Sequence, residues 1–473
     1  MTLKPRPTST SRKRFAKKPS RKASAPKVPA SQRPDRPLRE DLVLQACLEA
    51  YTSVRHDGRL SDRALEFTLR HKKHLYSNER RAVAERVYSL LRRQLTVDWL
   101  LGRMAKGFEQ LSTSRQDALR IATSRMLDQE DPDYVARTTG LGTEDRPVLA
   151  GFAEAQRKLA ALPFKDRFGI EASLPPFLAE KFLREYGDQA GAAAAAINAR
   201  APLTARVNGF KGTREALVDK LVAEGVTCRL TDLSPLGVFL ETRINAFSLQ
   251  TFKDGDFELQ DEGSQLLGML VDGPPTRVVD ACAGAGGKTL QIAVQMKNRG
   301  ELFALDVDEG RLEEMRRRSR RAGVHNVRTR LIPAEDGPAR EALTDLTGKA
   351  DRVLVDAPCS GSGTYRRKPD ARYRLTPDAL SQYAERQRSL LARFAPLVKP
   401  GGQLIYGTCS VLREENEEVV QAFLAAHPAF SVMPVTARLG ELGEKLGRDG
   451  FLRLAPHLHG TDGFFGAILA RAR

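Results

Sequence analysis

From about residue 260 onward the chain repeats one pattern. A short aliphatic run is followed by a turn and then by a longer stretch with helical spacing. The aliphatic runs fall at 277–280, 302–306, 352–356 and 403–406, and the helical stretches between them at 289–296, 310–322 and 377–394. This alternation predicts a doubly wound, mostly parallel sheet, because parallel neighbours need a crossover and a helix is the usual one. Sheets of this kind bind ligands beyond the carboxyl ends of their strands. The loops after residues 280, 306, 356 and 406 are therefore where chemistry is expected.

The 473 residues are too many for that domain alone. Residues 166–250 alternate smaller elements: a helix opened by Pro175 and Pro176, an extended segment at 204–208, a helix at 214–224 and short strands at 227–230 and 237–241. They read as a compact α+β module. Residues 38–165 read as all helical, with Ala82, Val83, Val87, Leu90 and Leu91 at helical spacing. Arginines run beside that stripe at 80–93, which reads as a solvated helix face, with an RNA-facing helix as the alternative. Residues 1–37 have almost nothing to bury and are expected to form a disordered basic arm. Positions 1–39 hold 13 Lys or Arg against Asp35 alone, so most of the net charge of +17 sits there and the rest of the chain is only mildly basic. A polyanionic partner, most simply nucleic acid, is implied.

The five cysteines, Cys47, Cys228, Cys282, Cys359 and Cys409, are odd in number, sparse and without a CxxC pair. No disulfide framework and no metal site is expected, and a reducing cytoplasm fits. No apolar run is long enough to cross a membrane; the Ala-rich 191–197 is far too short.

The loop after the first strand reads Asp280-Ala-Cys-Ala-Gly-Ala-Gly-Gly-Lys-Thr289. Small residues there let a ligand approach the backbone. A Walker A loop would need glycine at Cys282, and a dinucleotide fingerprint started at Gly284 would need glycine at Thr289, so both fail. Asp306 ends the next strand, where a carboxylate suits ribose hydroxyls, whereas Asp308 suits a helix N-cap. Glu335 and Asp336 follow the third strand, and either could meet an adenine amino group.

Two cysteines stand just past strand ends, in Asp356-Ala-Pro-Cys359-Ser-Gly-Ser-Gly and Tyr406-Gly-Thr-Cys409-Ser. A lone cysteine is more often a small buried hydrophobe, and Cys47, Cys228 and Cys282 are read so. For Cys359 and Cys409 the flanking residues argue for chemistry. A thiolate that adds to carbon 6 of cytosine makes carbon 5 able to attack an electrophilic methyl group. Asp356 is placed to hydrogen-bond the ring nitrogen, and a base must then remove the carbon-5 proton. The target base must be unpaired or flipped out. On these grounds the two cysteines are interchangeable.

Four segments, in this order and spacing, resemble the Fmu/Sun (RsmB) family of RNA 5-methylcytosine methyltransferases. They are FELQDEGSQ (257–265), the 280–289 loop, DAPCSGSG (356–363) with RRKPD (366–370), and YGTCS (406–410). The helical region 38–165 is similar to the NusB-like RNA-binding domain of the bacterial ribosomal RNA members. The Arg206-Val207-Asn208 segment resembles the small module preceding their catalytic domain. The resemblance implies a Rossmann-like class I methyltransferase domain at 251–473 that uses S-adenosylmethionine. It implies Cys409 as nucleophile and Cys359 in product release. Cys282, Ala283, Gly284, Ala285, Gly286, Gly287 and Lys288, with Asp306, Asp336 and Asp356, would hold the cofactor. Gly284 and Ala285 replace the family's usual Ala and Pro, which loosens the turn, and Gly407 replaces a serine; neither change removes a catalytic group. The expected protein is a cytoplasmic, monomeric enzyme acting on 16S rRNA. The same chemistry on tRNA, a non-catalytic ribosome-assembly factor and, last, a NAD enzyme are the alternatives.

Overall fold

A computed structural model describes residues 36–473, apart from Arg243, Asp272, Pro274 and Pro275. All but two residues of the expected basic arm thus lie outside the described residues.

The strands of the main sheet are β5 (Arg277–Asp280), β6 (Glu301–Asp306), β7 (Val327–Leu331), β8 (Ala350–Asp356) and β9 (Val398–Thr408), followed by β10 (Phe430–Met433), β11 (Gly447–Arg448), β12 (Phe451–Leu454) and β13 (Phe464–Arg471). Four strands earlier in the chain form a separate sheet: β1 (Leu203–Val207), β2 (Cys228–Leu230), β3 (Gly237–Leu240) and β4 (Phe257–Leu259).

In the main sheet β7, β6, β5, β8 and β9 are neighbours in that order and parallel. Helices Gly287–Gln295, Glu309–Ala322 and Pro377–Phe394 run between them. Val278, Val279, Val353, Leu354 and Val355 are fully buried, as expected of parallel strands covered on both faces. The expected parallel sheet is thus the Rossmann-like half of the observed one. Beyond β9 the sheet turns antiparallel: β13 pairs β9 on one edge and both β12 and β10 on the other. After the helix Glu417–Ala426 the helices between these strands are only four to six residues long, at Thr436–Leu439, Glu441–Leu446 and Pro456–His459, so this half gives no regular strand–helix rhythm in the sequence.

The order of the parallel strands reverses at β5, the first of them, which lies between β6 and β8. The carboxyl ends of β5, β6, β8 and β9 therefore face a common crevice, and the loops singled out above converge there.

Residues 40–198 are all helical among the described residues. The first helices, Glu40–Arg55, Ser77–Arg92 and Thr113–Leu127 among them, share a core that includes Val43, Val83, Leu90 and Leu119. Cys47 lies fully inside it, with its thiol pushed up to about 12 by burial. The helices Phe164–Ala172, Pro176–Tyr186 and Ala190–Asn198 pack instead with Tyr365, Leu375, Leu380 and Leu412 of the catalytic region. The sequence groups residues 166–198 with the strands that follow, but their buried faces belong to this other core.

The small sheet has the order β2-β3-β1-β4, all antiparallel, with helix Arg214–Ala223 packed against it. Its edge strand β4 lies beyond the expected boundary at 250 and leads within three residues into the helix Glu262–Met269. Asp261 caps that helix by accepting from the Gly263 amide at 2.8 Å.

Candidate active site

A cavity of about 760 Å³ opens at the carboxyl edge of the parallel strands, and its lining includes Cys282, Lys288, Asp306, Asp356, Cys359 and Cys409. That volume is within the usual range for a small-molecule site. One end is made by the loops after β5 and β6, the other by the loops after β8 and β9.

At the first end, residues 281–285 line the wall mainly with backbone and small side chains. Gly286 and Gly287 do not line it; they start the following helix. Gly286 has φ +88°, and a Cβ there would lie 2.6 Å from Met315 Cγ, so glycine is required for both the turn and the packing. Asp306 accepts from the Gly284 amide at 2.8 Å through one carboxylate oxygen and from the Asp308 amide at 2.9 Å through the other. A carboxylate has about four acceptor sites, so capacity remains for a ligand hydroxyl. Asp308, and not Asp306, caps the next helix, accepting from the Arg311 amide.

Asp336 is not among the lining residues. Its carboxylate is taken by Arg393, whose Nε lies 2.5 Å away, and by the Ser389 hydroxyl at 2.7 Å, and it is Arg393 and Ser389 that face the cavity. Ala334 lines the wall on the same side.

At the other end the two cysteines face each other, with Sγ atoms 3.3 Å apart. Hydrogen bonding to Cys409, then burial, holds the Cys359 thiol well above the ordinary range, so Cys359 keeps its proton. Lys288 reaches across from the end of the loop after β5 to Asp356, Nζ to Oδ2 2.7 Å. Burial works against its charge, but Asp356 and then the Cys409 sulfur outweigh it and hold the ammonium firmly protonated. A cation and the Cys409 thiol thus line the same cavity.

Comparison with known proteins follows this geometry. Residues 269–470 match the family described as 16S rRNA methyltransferase RsmB/F, and residues 174–246 match an RsmF/B-like, ferredoxin-like domain. The chain is 31% identical over 445 residues to the probable ribosomal RNA small subunit methyltransferase B of Synechocystis sp., covering 90% of this chain and 96% of that protein. The chain belongs to the RsmB/F family of ribosomal RNA methyltransferases. The ribosomal RNA small subunit methyltransferase B of Xanthomonas campestris is 32% identical over 329 residues, 69% of this chain and 73% of that one. Among solved structures, PH0851 covers 92% of this chain and is itself covered to 99%, with 27% identity and a TM-score of 0.73. A methyltransferase homolog from Pyrococcus horikoshii covers 66% of this chain and is covered to 99%, with 29% identity and a TM-score of 0.55.

Several residues that shape the site of this RsmB/F-family methyltransferase are not apparent from its motifs. Glu415 is fully buried between the two cysteine loops. It accepts from the Ser360 amide at 2.7 Å, from the Ser360 and Ser410 hydroxyls at 2.5 Å each, and from Gln387 at 3.0 Å. A direct bond from the Gly363 amide to the Cys409 carbonyl, at 3.0 Å, adds to the tie. Glu415 is one of four glutamates at 414, 415, 417 and 418, and nothing in the sequence marks the fully buried one.

The loop after β5 is held from outside. Arg318 donates to the Ala285 carbonyl at 2.8 Å and pairs with Glu258 of β4 at 3.0 Å. Arg206 of β1 reaches the Gly287 carbonyl at 3.3 Å and Gln260 at 2.5 Å. The FELQDEGSQ segment is thereby explained in part. Besides the Glu258 and Gln260 contacts, Glu262 accepts from the Leu233 and Ser234 amides at 2.8 and 2.7 Å. The motif fastens the small sheet to the catalytic domain. Gly407, the departure in the Tyr-Gly-Thr-Cys-Ser run, is filled from outside: a Cβ there would lie 2.5 Å from Leu267 Cδ2.

Proposed function

We propose that the enzyme forms 5-methylcytosine in 16S rRNA, with S-adenosylmethionine as methyl donor and Cys409 as the attacking thiolate. The observation that carries this reading is the pair of sulfurs, 3.3 Å apart, in the cavity that the 281–285 loop and Asp306 also line. Within that cavity, small residues and a carboxylate with spare acceptor capacity suit a nucleoside bearing ribose hydroxyls. The cofactor-side lining falls to Cys282, Ala283, Gly284, Ala285 and Lys288 with Asp306. Asp336 acts through Arg393 and Ser389 in this reading, and Gly286 and Gly287 act through the turn they allow. S-adenosylmethionine, when bound, supplies the electrophilic methyl group.

The remaining steps belong to the chain. Cys409 sulfur would bond carbon 6 of the target cytosine, and the electron pair of the 5,6 double bond would move to carbon 5, which would take the methyl group as its bond to the donor's sulfur breaks and the thioether leaves. Asp356, held by Lys288, hydrogen-bonds the protonated ring nitrogen. Removal of the carbon-5 proton then restores the double bond and expels the Cys409 thiolate. The division of labour is supported by a Cys359 thiol held well above its ordinary range and by the protonated Lys288 that lines the same cavity as Cys409.

The test is methyl transfer to unmodified 16S rRNA from labelled donor. Cys409→Ala is expected to abolish it, and Cys359→Ala to leave protein covalently joined to RNA on a denaturing gel. Normal turnover by the Cys409 variant, or label recovered in any product other than 5-methylcytosine, would sink the assignment.

A further inference from the structure

Outside the catalytic cavity lie two hollows of about 890 and 910 Å³. Both are lined by Arg81, Arg200 and Arg367, so they are two stretches of one groove. It runs between the helix Ser77–Arg92 and the small sheet, which contributes Phe239 and Leu240 of β3. The segment 364–368 separates this groove from the catalytic cavity. Thr364 and Lys368 line the cavity, whereas Arg366 and Arg367 line the groove. A chain leaving the cavity over this segment would enter the groove.

The groove has more cations than it can neutralise. Each of the five acids on its walls is already held by an arginine, Glu40 by Arg86, Glu85 by Arg200 and Glu241 by Arg229 among them. Arg80, Arg81 and Arg92 have no carboxylate within ion-pair distance among the described residues. Arg80 donates to the Leu69 and Lys72 carbonyls at 2.6 and 3.3 Å, and Arg92 to the Arg366 carbonyl at 3.2 Å. Arg92 Nε is buried with no partner. Burial, then the neighbouring Arg200 and Arg372, work against the charge on Arg92 and lower its pKa. A half-buried guanidinium beside two others, with an unused donor, lacks an anion. On the opposite wall Arg229 lies over the Phe239 ring, 4.4 Å from its centroid, a flat and charged surface of the kind on which nucleic-acid bases stack.

We infer that this groove carries the sugar-phosphate backbone of the substrate RNA flanking the target nucleotide, with phosphates on Arg81 and Arg92. The inference rests on the chain acting on RNA, and it locates where that RNA lies beyond the reacting base. Polyanion binding favours RNA over an acidic protein here because the groove meets the catalytic cavity along one five-residue wall and sets the Arg229 guanidinium over the half-buried Phe239 ring. The arginines of the helix Ser77–Arg92 are therefore not a plain solvated face.

The experiment measures binding of the full chain to an unmodified 16S rRNA transcript as a function of salt, beside the KM for that RNA. Arg81→Glu is expected to weaken binding about tenfold and to flatten the dependence of log K on log salt by roughly 0.7 for each phosphate no longer neutralised. Its affinity for S-adenosylmethionine, its melting temperature and its kcat at saturating RNA should be those of wild type. The Arg81 side chain is exposed and supports no neighbouring element, so the variant keeps its fold even if Arg92→Gln does not. A wild-type salt slope and KM in Arg81→Glu would overturn the inference and leave the surplus charge to an acidic protein partner. That failure is distinct from failure of the cytosine chemistry, which would show in the identity of the methylated product.

Discussion

At the β5–β6 end of the catalytic cavity the lining is mostly backbone and small side chains, and the groups that hold it lie outside. Arg318 and Arg206 grip the carbonyls of Ala285 and Gly287 from the helix Glu309–Ala322 and from the small sheet. At the β8–β9 end the lining is two thiols, and what holds them is inside: one buried carboxylate, Glu415, with four donors on it. In the proposed function the first end accepts and releases the methyl donor each turnover, and a wall braced from a distance leaves its surface free. The second has to keep two sulfurs 3.3 Å apart, which a shared acceptor between their loops achieves.

The two ends should therefore fail differently when changed. The largest effect beyond the cysteines themselves is expected at Glu415. Glu415→Gln keeps the shape, but its amide nitrogen must face one donor, and misplacement on the order of 1 Å can cost about a hundredfold in rate. We expect kcat to fall by about that factor with the KM for the methyl donor little changed, and Glu415→Asp to recover part of the loss. A rise in that KM alone would erase the distinction between the ends. At the other end, Arg318→Ala removes a charged hydrogen bond to the loop, worth about 1.5–3 kcal/mol. It is expected to raise the KM for the donor about tenfold while leaving formation of the Cys409 adduct intact, as read on denaturing gels.

The smallest effect concerns stability. Burial pushes the Asp280 carboxyl up to about 7, against the hydrogen bond it receives from Thr289 at 2.7 Å. A carboxyl whose pKa is higher in the folded than in the unfolded chain binds more protons when folded. It therefore costs stability as pH rises from about 4 toward 7. Asp280→Asn should lose that component, so its melting temperature should fall less over this interval than that of wild type. Parallel melting curves for the two proteins would show that Asp280 is not the responsible group.

The parallel half of the sheet is readable because buried parallel strands are continuous aliphatic runs, and β5 and the helix Pro377–Phe394 fall where the spacing puts them. The antiparallel half is not, since β10 to β13 are short or broken by glycine and the helices between them are only four to six residues long. Within the site, residues that line the cavity with a distinctive neighbour, such as Cys359 after proline, announce themselves. Those that act by reach do not. Arg318 is one of several arginines on its helix, and only tertiary structure selects the one that meets Ala285. Asp336 shows the converse: its place after β7 suggests a ligand contact, yet Arg393 and Ser389 occupy its carboxylate.

Among the described residues strand β4 pairs only with β1, and its Phe257 is fully buried in the core of the small sheet. The segment that completes this sheet thus comes after the rest of it in the chain and leads straight into the catalytic domain's first helix. The two parts have no hinge between them. During synthesis the small sheet must wait, open along one edge, until β4 emerges, so its closure is timed to the start of the domain it serves.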